Sequence, residues 1–189
     1  ILAYLYQKGE YNPEDEQSFV PALCNRIDRN TGGIVIAAKN AEALRIMNQK
    51  IKNREIDKFY LAAVHGIPKK SSDTLKGYLV KNEKLNTVSV FDTGSGKNQS
   101  LPRGAKTILT RYNVLAKGDG CALIEVELLT GRTHQIRAHM AHIGHPLIGD
   151  GKYGTNKSDR ERGYKYQALY SYRLRFNFSE KEKTALDYL

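Results

Sequence analysis

The feature that most limits the fold is an alternating pattern near the end of the chain. Over residues 170–178, Tyr, Leu and Phe occupy every second position, and Ser, Arg and Asn occupy the positions between them. A period of two is that of a β-strand, in which successive side chains point to opposite faces. The pattern therefore predicts a strand, which is the clearest one in this sequence.

Shorter patterns predict several other strands. Residues 34–38 form an apolar run rich in branched side chains, which is typical of a buried strand. Residues 107–117 and 121–129 predict a hairpin that is closed at 118–120 by two glycines and an aspartate. Residues 94–100, rich in Gly and Ser, predict a flexible loop. Three more strands are predicted at 58–65, 74–81 and 86–92.

The first predicted helix covers residues 41–56, and Asn40 is its expected cap. Its apolar face consists of Leu44, Met47 and Ile51. Polar and basic side chains, Lys50 among them, are expected around the rest of the helix.

A second helix is predicted over residues 133–143, with Thr133 as its cap and Gly144 at its end. Because strands outnumber helices, the sequence predicts an α+β fold with a central sheet that is mostly antiparallel and is flanked by helices and loops.

The charge of the chain narrows the class of partner. Its 189 residues carry a formal net charge of +10, from 30 Lys and Arg against 20 Asp and Glu. Such an excess favours a polyanion as the binding partner, with nucleic acid as the first candidate; the alternative is a basic protein without such a partner.

The longest apolar runs reach about a quarter of the ~20 residues needed to cross a bilayer, so no membrane protein is predicted. Cys24 and Cys121 are too few for a disulfide-framed fold, and we expect two reduced thiols in a cytoplasmic protein.

The first segment with chemical potential is residues 25–33. It places Asp28 between Arg26 and Arg29, where the neighbouring cations favour the ionised carboxylate. The glycine pair at 32–33 lets another backbone or a ligand approach closely. The alternative interpretation is a simple turn, since Asp, Asn, Thr and Gly are all common in turns.

The second segment is residues 130–139, at the start of the second predicted helix. A helix start offers unpaired N–H groups and a positive dipole end to phosphate, and Arg132 adds a cation there. Ile136 and Arg137 are adjacent but point in different directions. One can pack an apolar surface while the other meets a carboxylate. The alternative is an ordinary amphipathic helix with a basic beginning.

Four of the five histidines lie between His134 and His145, and His139 and His142 have a spacing that allows both to face one way. The interval contains no Cys, Asp or Glu, so it does not favour a metal site over structural or phosphate-facing histidines. The sequence also lacks a Walker A loop, a dinucleotide-binding G-x-G-x-x-G after a strand and a G-x-S-x-G motif.

Taken together, these segments resemble the RluA-type pseudouridine synthases. Five segments in the family's order carry the resemblance: 25–33 (H-R-L-D-x-x-T-S-G in the family), 58–66 (K-x-Y-x-A-x-V-x-G), 130–139 (T-G-R-T-H-Q-I-R-x-H), 144–154 (G-H-P-I-x-G-D…Y-G) and 169–171 (L-H-A).

The chain departs from the family pattern at three places. Asn25 stands where the family usually has His, Gly32 where it has Ser, and Tyr170 where it often has His. The family's upstream K-P-x-G segment is not seen before Ile1, and residue 1 is not Met. We therefore expect residues 1–189 to be a pseudouridine synthase catalytic domain that lacks its N-terminal part.

The resemblance implies the pseudouridine synthase fold and an enzyme that isomerises uridines in RNA to pseudouridine. It implies no cofactor and no metal, because the uracil is both the leaving group and the returning reagent. Ribosomal RNA of the large subunit is the first expected substrate and transfer RNA the alternative. A monomer is expected.

The same resemblance assigns residue roles. Asp28 is the expected nucleophile, Arg137 its ionic partner, and Tyr60 the ring that stacks on uracil, with a phenol that can assist proton removal. For RNA binding, Ile136 packs the other side of the uracil and Arg26 fills the gap that the extruded nucleotide leaves. The remaining expected RNA contacts are Arg132, His134 and Gln135.

Two other classes of function stay open. One is a non-catalytic RNA-binding protein on the same scaffold, which would have no use for Asp28 because a carboxylate repels phosphate. The other is a metal-dependent hydrolase that uses the histidines.

Overall fold

The computed structural model describes residues 1–15, 19–92 and 101–178, and the chain divides into two compact units. The first comprises residues 1–27 and 34–57 together with the chain from Leu174, and the second comprises residues 28–33 and 58–173. The loop predicted at 94–100 lies outside the described residues.

The first unit contains two helices and a small antiparallel pair of strands. Their bounds are Leu2–Gln7 for α1, Ala22–Leu23 for β1, Ala37–Ala38 for β3 and Ala41–Lys52 for α2. The prediction of a buried strand over 34–38 was wrong in extent and burial. The strand covers only Ala37–Ala38, and Ile34 and Val35 are 40% and 41% exposed.

Helix α2 begins as predicted, because the Asn40 side chain accepts a hydrogen bond from the Ala43 amide at 2.8 Å. It ends at Lys52, four residues before the predicted end. Arg54 adopts the left-handed conformation (φ 62°) and donates to Ile51, and the Glu55 amide then donates to the Lys50 carbonyl at 3.0 Å. These are the two bonds of a Schellman motif, which usually has Gly at the left-handed position.

The main sheet has seven strands, and the boundary between the two units falls within β4 and β9. Across the sheet the order is β2 (Gly32–Gly33), β9 (Leu169–Phe176), β4 (Ile56–His65), β8 (Cys121–Leu128), β7 (Lys106–Lys117), β5 (Ser72–Asn82) and β6 (Thr87–Asp92). The pairs β4–β8, β7–β8, β5–β7 and β5–β6 are antiparallel, and β2–β9 is parallel. The predicted α+β class and the predicted hairpin of β7 and β8 are confirmed.

Helices α3 (Gln135–His142) and α4 (Lys157–Glu161) belong to the second unit. The predicted cap at Thr133 was wrong, because His134 precedes the helix in the left-handed conformation (φ 53°) and no side chain caps it. The Gln135 side chain instead reaches back and accepts from the Arg132 amide at 3.0 Å. Gly144 follows the helix with φ +85°, as predicted.

Helix α3 is buried along most of its length. Gln135 to Met140 are all buried, and Ala138 packs in a cluster with Leu79, Val88 and Ile108. Polar as well as apolar side chains of this helix are therefore buried. Among the described residues, none of the helices has the length and apolar character needed to cross a membrane.

Candidate active site

Asp28 lies at the start of a tight turn in the second unit. Its carbonyl accepts from the Thr31 amide at 3.0 Å, and Asn30 takes the left-handed conformation (φ 65°) that Asn tolerates better than most residues. The Gln167 side-chain amide donates to the Arg29 carbonyl at 2.6 Å and to the Thr31 hydroxyl at 3.2 Å. The turn interpretation is therefore correct, and the turn holds the Asp28 carboxylate with its side chain 17% exposed.

The two glycines after this turn allow the close backbone approach that the sequence predicted. At Gly33 (φ +114°) a Cβ atom would lie 2.1 Å from the Ser171 carbonyl oxygen, so only glycine fits. At Gly32 a Cβ would lie 2.9 Å from the ring of Tyr170, its partner across β2 and β9. Two of the three departures from the family pattern thus touch each other: the large ring at 170 lies over the position where a serine side chain would begin.

Arg137 extends from α3 and binds two carboxylates. Its Nε and one terminal nitrogen donate to the two Asp150 oxygens at 2.7 and 2.8 Å, which is the bidentate geometry that guanidinium favours. Its other terminal nitrogen donates to Asp28 at 3.4 Å. The structure therefore brings together the predicted pair of Asp28 and Arg137, and adds Asp150 as the group that fixes the guanidinium.

Asp150 is fully buried, with a side chain that is 0% exposed. Burial alone would raise the pKa of Asp150, but the hydrogen bonds from Arg137 and from the amides of Lys152 (2.9 Å) and Tyr153 (3.3 Å) hold that pKa below its usual range. Burial opposes the charge on Arg137 in the same way, and Asp150 and Asp28 together raise the pKa of Arg137. The result is a permanent ion pair beside Asp28.

Tyr60 comes from β4 and is 6% exposed. Its phenol and the fully buried hydroxyl of Ser171 share a hydrogen bond. Burial raises the pKa of Tyr60, and the nearby Asp28 carboxylate raises it further. The phenol is therefore protonated at neutral pH.

Tyr153 joins the Arg137 cluster to His134. The ring of Tyr153 lies 5.2 Å from the guanidinium carbon of Arg137, and its oxygen lies 2.7 Å from His134 Nδ1. The Val88 amide donates to that oxygen at 3.0 Å, so the phenol proton is available to His134. Burial raises the pKa of Tyr153 and lowers that of His134, which favours a neutral imidazole that accepts from the phenol.

The other predicted RNA contacts differ in accessibility. Gln135 is 2% exposed, and its amide binds the Thr130 and Thr110 hydroxyls, the Leu109 carbonyl and the Arg132 amide. Every polar atom of the side chain is thus used inside the protein, and its RNA contact stays a prediction. Ile136 is 4% exposed, Arg132 is exposed, and Arg26 is exposed in the first unit.

The paired histidines of α3 have separate partners. His139 Nδ1 lies 2.9 Å from the Thr110 hydroxyl, and His142 Nε2 lies 2.9 Å from Asp92. Burial, with a smaller effect from His142, lowers the pKa of His139 to about 4. Within the described ranges, no group of three or more His, Cys, Asp or Glu is placed to hold a metal ion.

Three residues of this site had no role in the sequence prediction: Asp150, Tyr153 and Ser171. Two of them lie in the segment 144–154 that carried part of the resemblance, but nothing in their spacing assigns them to Arg137. A signal was available in the donor count, because a buried guanidinium has five N–H groups and one carboxylate cannot satisfy them. That count calls for a second acid near Arg137 without saying which one.

The arrangement suits chemistry at a carboxylate. The Asp28 carboxylate is oriented by a fixed cation and lies near a buried, protonated phenol, and the chain as a whole is strongly basic. Fold and site together define a class of proteins in which a turn beside a mostly antiparallel sheet holds a partly exposed aspartate against a buried arginine.

The comparisons with known proteins identify the family. A family model described as RNA pseudouridylate synthase matches residues 3–142. Ribosomal large subunit pseudouridine synthase C of Vibrio parahaemolyticus is 37% identical over 141 residues, which is 75% of this chain and 41% of the relative. The uncharacterized RNA pseudouridine synthase YlyB of Bacillus subtilis is 33% identical over 157 residues, covering 83% of this chain and 48% of the relative. The chain belongs to the RNA pseudouridylate synthase family.

A solved structure agrees with this assignment. Human RNA pseudouridylate synthase domain containing 1 superimposes with a TM-score of 0.71 at 28% identity, covering 86% of this chain and 66% of the human chain. The present chain spans less than half the length of the two bacterial relatives.

Proposed function

We propose that this chain acts as an RNA pseudouridine synthase, with Asp28 as its nucleophile. The observation that carries the proposal is the orientation of Arg137, which Asp150 holds by two bonds while the third nitrogen faces Asp28 at 3.4 Å. A cation fixed in this way orients the carboxylate beside an anionic ligand. Membership of the family supports RNA as the ligand.

In this proposal Asp28 assists cleavage of the N-glycosidic bond, and the detached uracil turns and rejoins the ribose through carbon 5. Tyr60 and Ile136 confine the uracil, as the family resemblance implies, and both are buried, at 6% and 4% exposed. The raised pKa of Tyr60 means that its phenol has to lose its own proton before it can remove the one on carbon 5. We therefore assign Tyr60 first to stacking and hydrogen bonding.

The exposed Arg26 and Arg132 remain the proposed contacts to RNA outside the pocket. Arg26 fills the space that the extruded nucleotide leaves, and Arg132 holds phosphate. His134 is a further proposed contact to RNA, through the neutral imidazole ring that its hydrogen bond with Tyr153 orients.

The proposed substrate is ribosomal RNA of the large subunit. The name of the relative from Vibrio parahaemolyticus, a ribosomal large subunit pseudouridine synthase, supports this choice. We further propose that the protein works as a monomer in the cytoplasm. The free thiols of Cys24 and Cys121 support the location.

The deciding experiment maps pseudouridines in total RNA from cells with and without the gene, and then from cells that carry Asp28→Asn. We expect one uridine or a few defined uridines to lose the modification in both cases. The variant removes the nucleophile but keeps the size of the side chain, so its turnover should fall at least about a thousandfold while its RNA affinity stays near that of the wild type. Turnover retained by Asp28→Asn would exclude Asp28 as the nucleophile.

Tyr60→Phe is the matched test for the phenol, because it keeps the ring and removes only the hydroxyl. We expect slower turnover with little change in RNA affinity. A change located in transfer RNA would replace the proposed substrate, and an unchanged map would favour the non-catalytic RNA-binding alternative.

A further inference from the structure

The inference concerns residues 157–170, which we call the rim segment. It includes α4 and the chain that leads into β9. Four basic residues, Lys157, Arg160, Arg162 and Lys165, are exposed along it. Three tyrosines are exposed as well: Tyr164 at 50%, Tyr166 at 60% and Tyr170 at 53%.

The rim segment is firmly attached to the loop that carries Asp150. Asp159 is buried, accepts from the Gly149 amide at 2.7 Å and lies 2.9 Å from His65 Nε2. The Tyr166 carbonyl packs so closely on Gly149 that a Cβ there would lie 2.1 Å from its oxygen. The Ala168 amide donates to the Ile148 carbonyl at 2.8 Å. The backbone that carries the tyrosines is thus attached at Gly149, the residue before Asp150.

The same segment is attached to the Asp28 turn. Gln167 donates to the Arg29 carbonyl at 2.6 Å, and the Tyr170 ring lies against Gly32. Exposed aromatic side chains that are scattered singly need no explanation. Here, however, three tyrosines within seven positions combine with four cations on a backbone that contacts both carboxylate-bearing loops of the site.

The basic and aromatic side chains of the rim segment together favour one class of ligand. The rim segment contains only two acids, and one of them, Asp159, is buried. Cations along a chain track phosphates, and exposed aromatic rings stack on bases. In a duplex the base faces are already stacked on each other, so rings of this kind favour unpaired nucleotides.

We propose that the rim segment binds single-stranded RNA next to the target nucleotide, with Tyr164 and Tyr166 as stacking platforms. This inference rests on the proposed function for the identity of the RNA that carries the target. It adds a second RNA-binding surface, separate from Arg26, Arg132 and the pocket residues.

The test uses fluorescein-labelled oligouridylate of twelve nucleotides and a twelve-base-pair RNA duplex, with affinity read by anisotropy. Tyr166→Ala should weaken oligouridylate binding about tenfold, the size expected for one lost stacking contact, and should leave duplex binding within about twofold. Tyr166→Phe should bind like the wild type, because stacking needs the ring and not the hydroxyl. Tyr6→Ala is the matched control, since Tyr6 on α1 is also 60% exposed, and should change nothing.

Several results would overturn the proposal. One is that the wild-type chain does not bind oligouridylate. Another is that the Tyr164→Ala/Tyr166→Ala double variant binds oligouridylate as well as the wild type does. A third is that Tyr166→Ala loses as much affinity for the duplex as for oligouridylate. A dimer in sedimentation that the double variant disrupts, with unchanged RNA affinity, would instead make this surface an interface between copies.

The failure of this inference is distinguishable from failure of the proposed function. Asp28→Asn should lose turnover and keep oligouridylate affinity, whereas Tyr166→Ala should raise KM for the mapped RNA and keep kcat. If no RNA gains pseudouridine but Tyr166→Ala still loses affinity, the rim segment stands as an RNA surface without the reaction. If pseudouridine forms and the tyrosine variants keep both affinity and KM, only the rim segment proposal fails.

Discussion

Lys50 and Arg137 are both buried cations, but their surroundings differ in one important respect. Lys50, in the first unit, is 2% exposed and binds Glu55 at 2.8 Å. Arg137, in the second unit, is 6% exposed and is shared between the fully buried Asp150 and the partly exposed Asp28. Asp150 supplies the pairing that Arg137 needs to be buried. The contact with Asp28 is longer, at 3.4 Å, and is the one available to chemistry.

The comparison teaches that a buried ion pair alone does not mark an active site. Taking charges out of water is costly, and a partner is needed at both positions. At Arg137 one guanidinium contacts both a fully buried carboxylate, Asp150, and a partly exposed one, Asp28.

The largest effect is expected for Asp150→Asn, with Glu55→Gln as its counterpart in the first unit. Removing one charge of a buried pair leaves the other uncompensated, so Asp150→Asn should lower the free energy of unfolding by about 3–5 kcal/mol. Glu55→Gln should cost less, about 2 kcal/mol, because the Glu55 side chain is 18% exposed. Urea denaturation measures both.

Turnover per folded molecule then separates the two sites. It should fall only for Asp150→Asn, because only that change releases the guanidinium that orients Asp28. An equal loss of turnover in Glu55→Gln would contradict the comparison.

A third buried basic group, His139, has no carboxylate partner like that of Arg137 among the described contacts. Its bond is to the Thr110 hydroxyl, and burial lowers the pKa of His139 to about 4. The folded protein then binds this proton more weakly than the unfolded chain, so acidification favours unfolding. Stability should fall between about pH 6.5 and 4, by up to about 3 kcal/mol.

Urea midpoints at pH 7, 5.5 and 4.5 check this prediction against His139→Gln, whose slope should be smaller; the lowered pKa of His134 contributes part of the slope that remains. Asp150, whose pKa is depressed, contributes in a different window, since its stabilisation is lost only as the pH falls below about 3.8. Parallel slopes for the wild type and His139→Gln would show that His139 is not held neutral by burial.

Arg137→Lys tests whether the shape of the cation, and not only its charge, matters at the site. An ammonium keeps the charge but lacks the planar fork, so it cannot bind Asp150 in two places and still face Asp28. A misplacement of this kind is expected to lower kcat about a hundredfold. The control is Arg111→Lys, since Arg111 lies in an exposed pair with Glu127 and its replacement should leave kcat unchanged.

The smallest effect is expected at Gly32, which sets the position of the Asp28 turn relative to β9. A serine there meets the Tyr170 ring, and because that ring is exposed and can move, Gly32→Ser should cost about 1 kcal/mol. Adding Tyr170→His should recover part of that loss, since the smaller ring makes room. A double-mutant cycle with no coupling would show that the two departures from the family pattern are independent.

Much of the sheet was predictable because its strands carry a local signal. The alternation over 170–178, the apolar strand at 58–65 and the glycine turn of the hairpin each lie within one stretch of sequence. The helix boundaries were less predictable. α2 ends with Arg54 in a conformation that usually calls for Gly, and α3 is preceded by a left-handed His134 rather than by a Thr cap.

The site was predictable only as far as its residues matched a motif. The pairing of Asp28 with Arg137 follows from the resemblance, and the structure brings the two together. Lys50 was expected on the surface because a helix pattern does not show which polar residue has a buried partner. The role of Asp150 was missed for the same reason, since contacts between distant segments leave no local pattern.

The attachment of the Asp28 turn to the last strand has a consequence for synthesis of the protein. Gln167 and Arg29 are 138 positions apart, and Gly33 fits only against the backbone of Ser171. A growing chain holds Asp28, Tyr60, Arg137 and Asp150 well before these restraints exist. The turn that carries Asp28 therefore gains these restraints only when the region around Gln167 has left the ribosome, so the earliest part of the site to be translated is the last to be ordered.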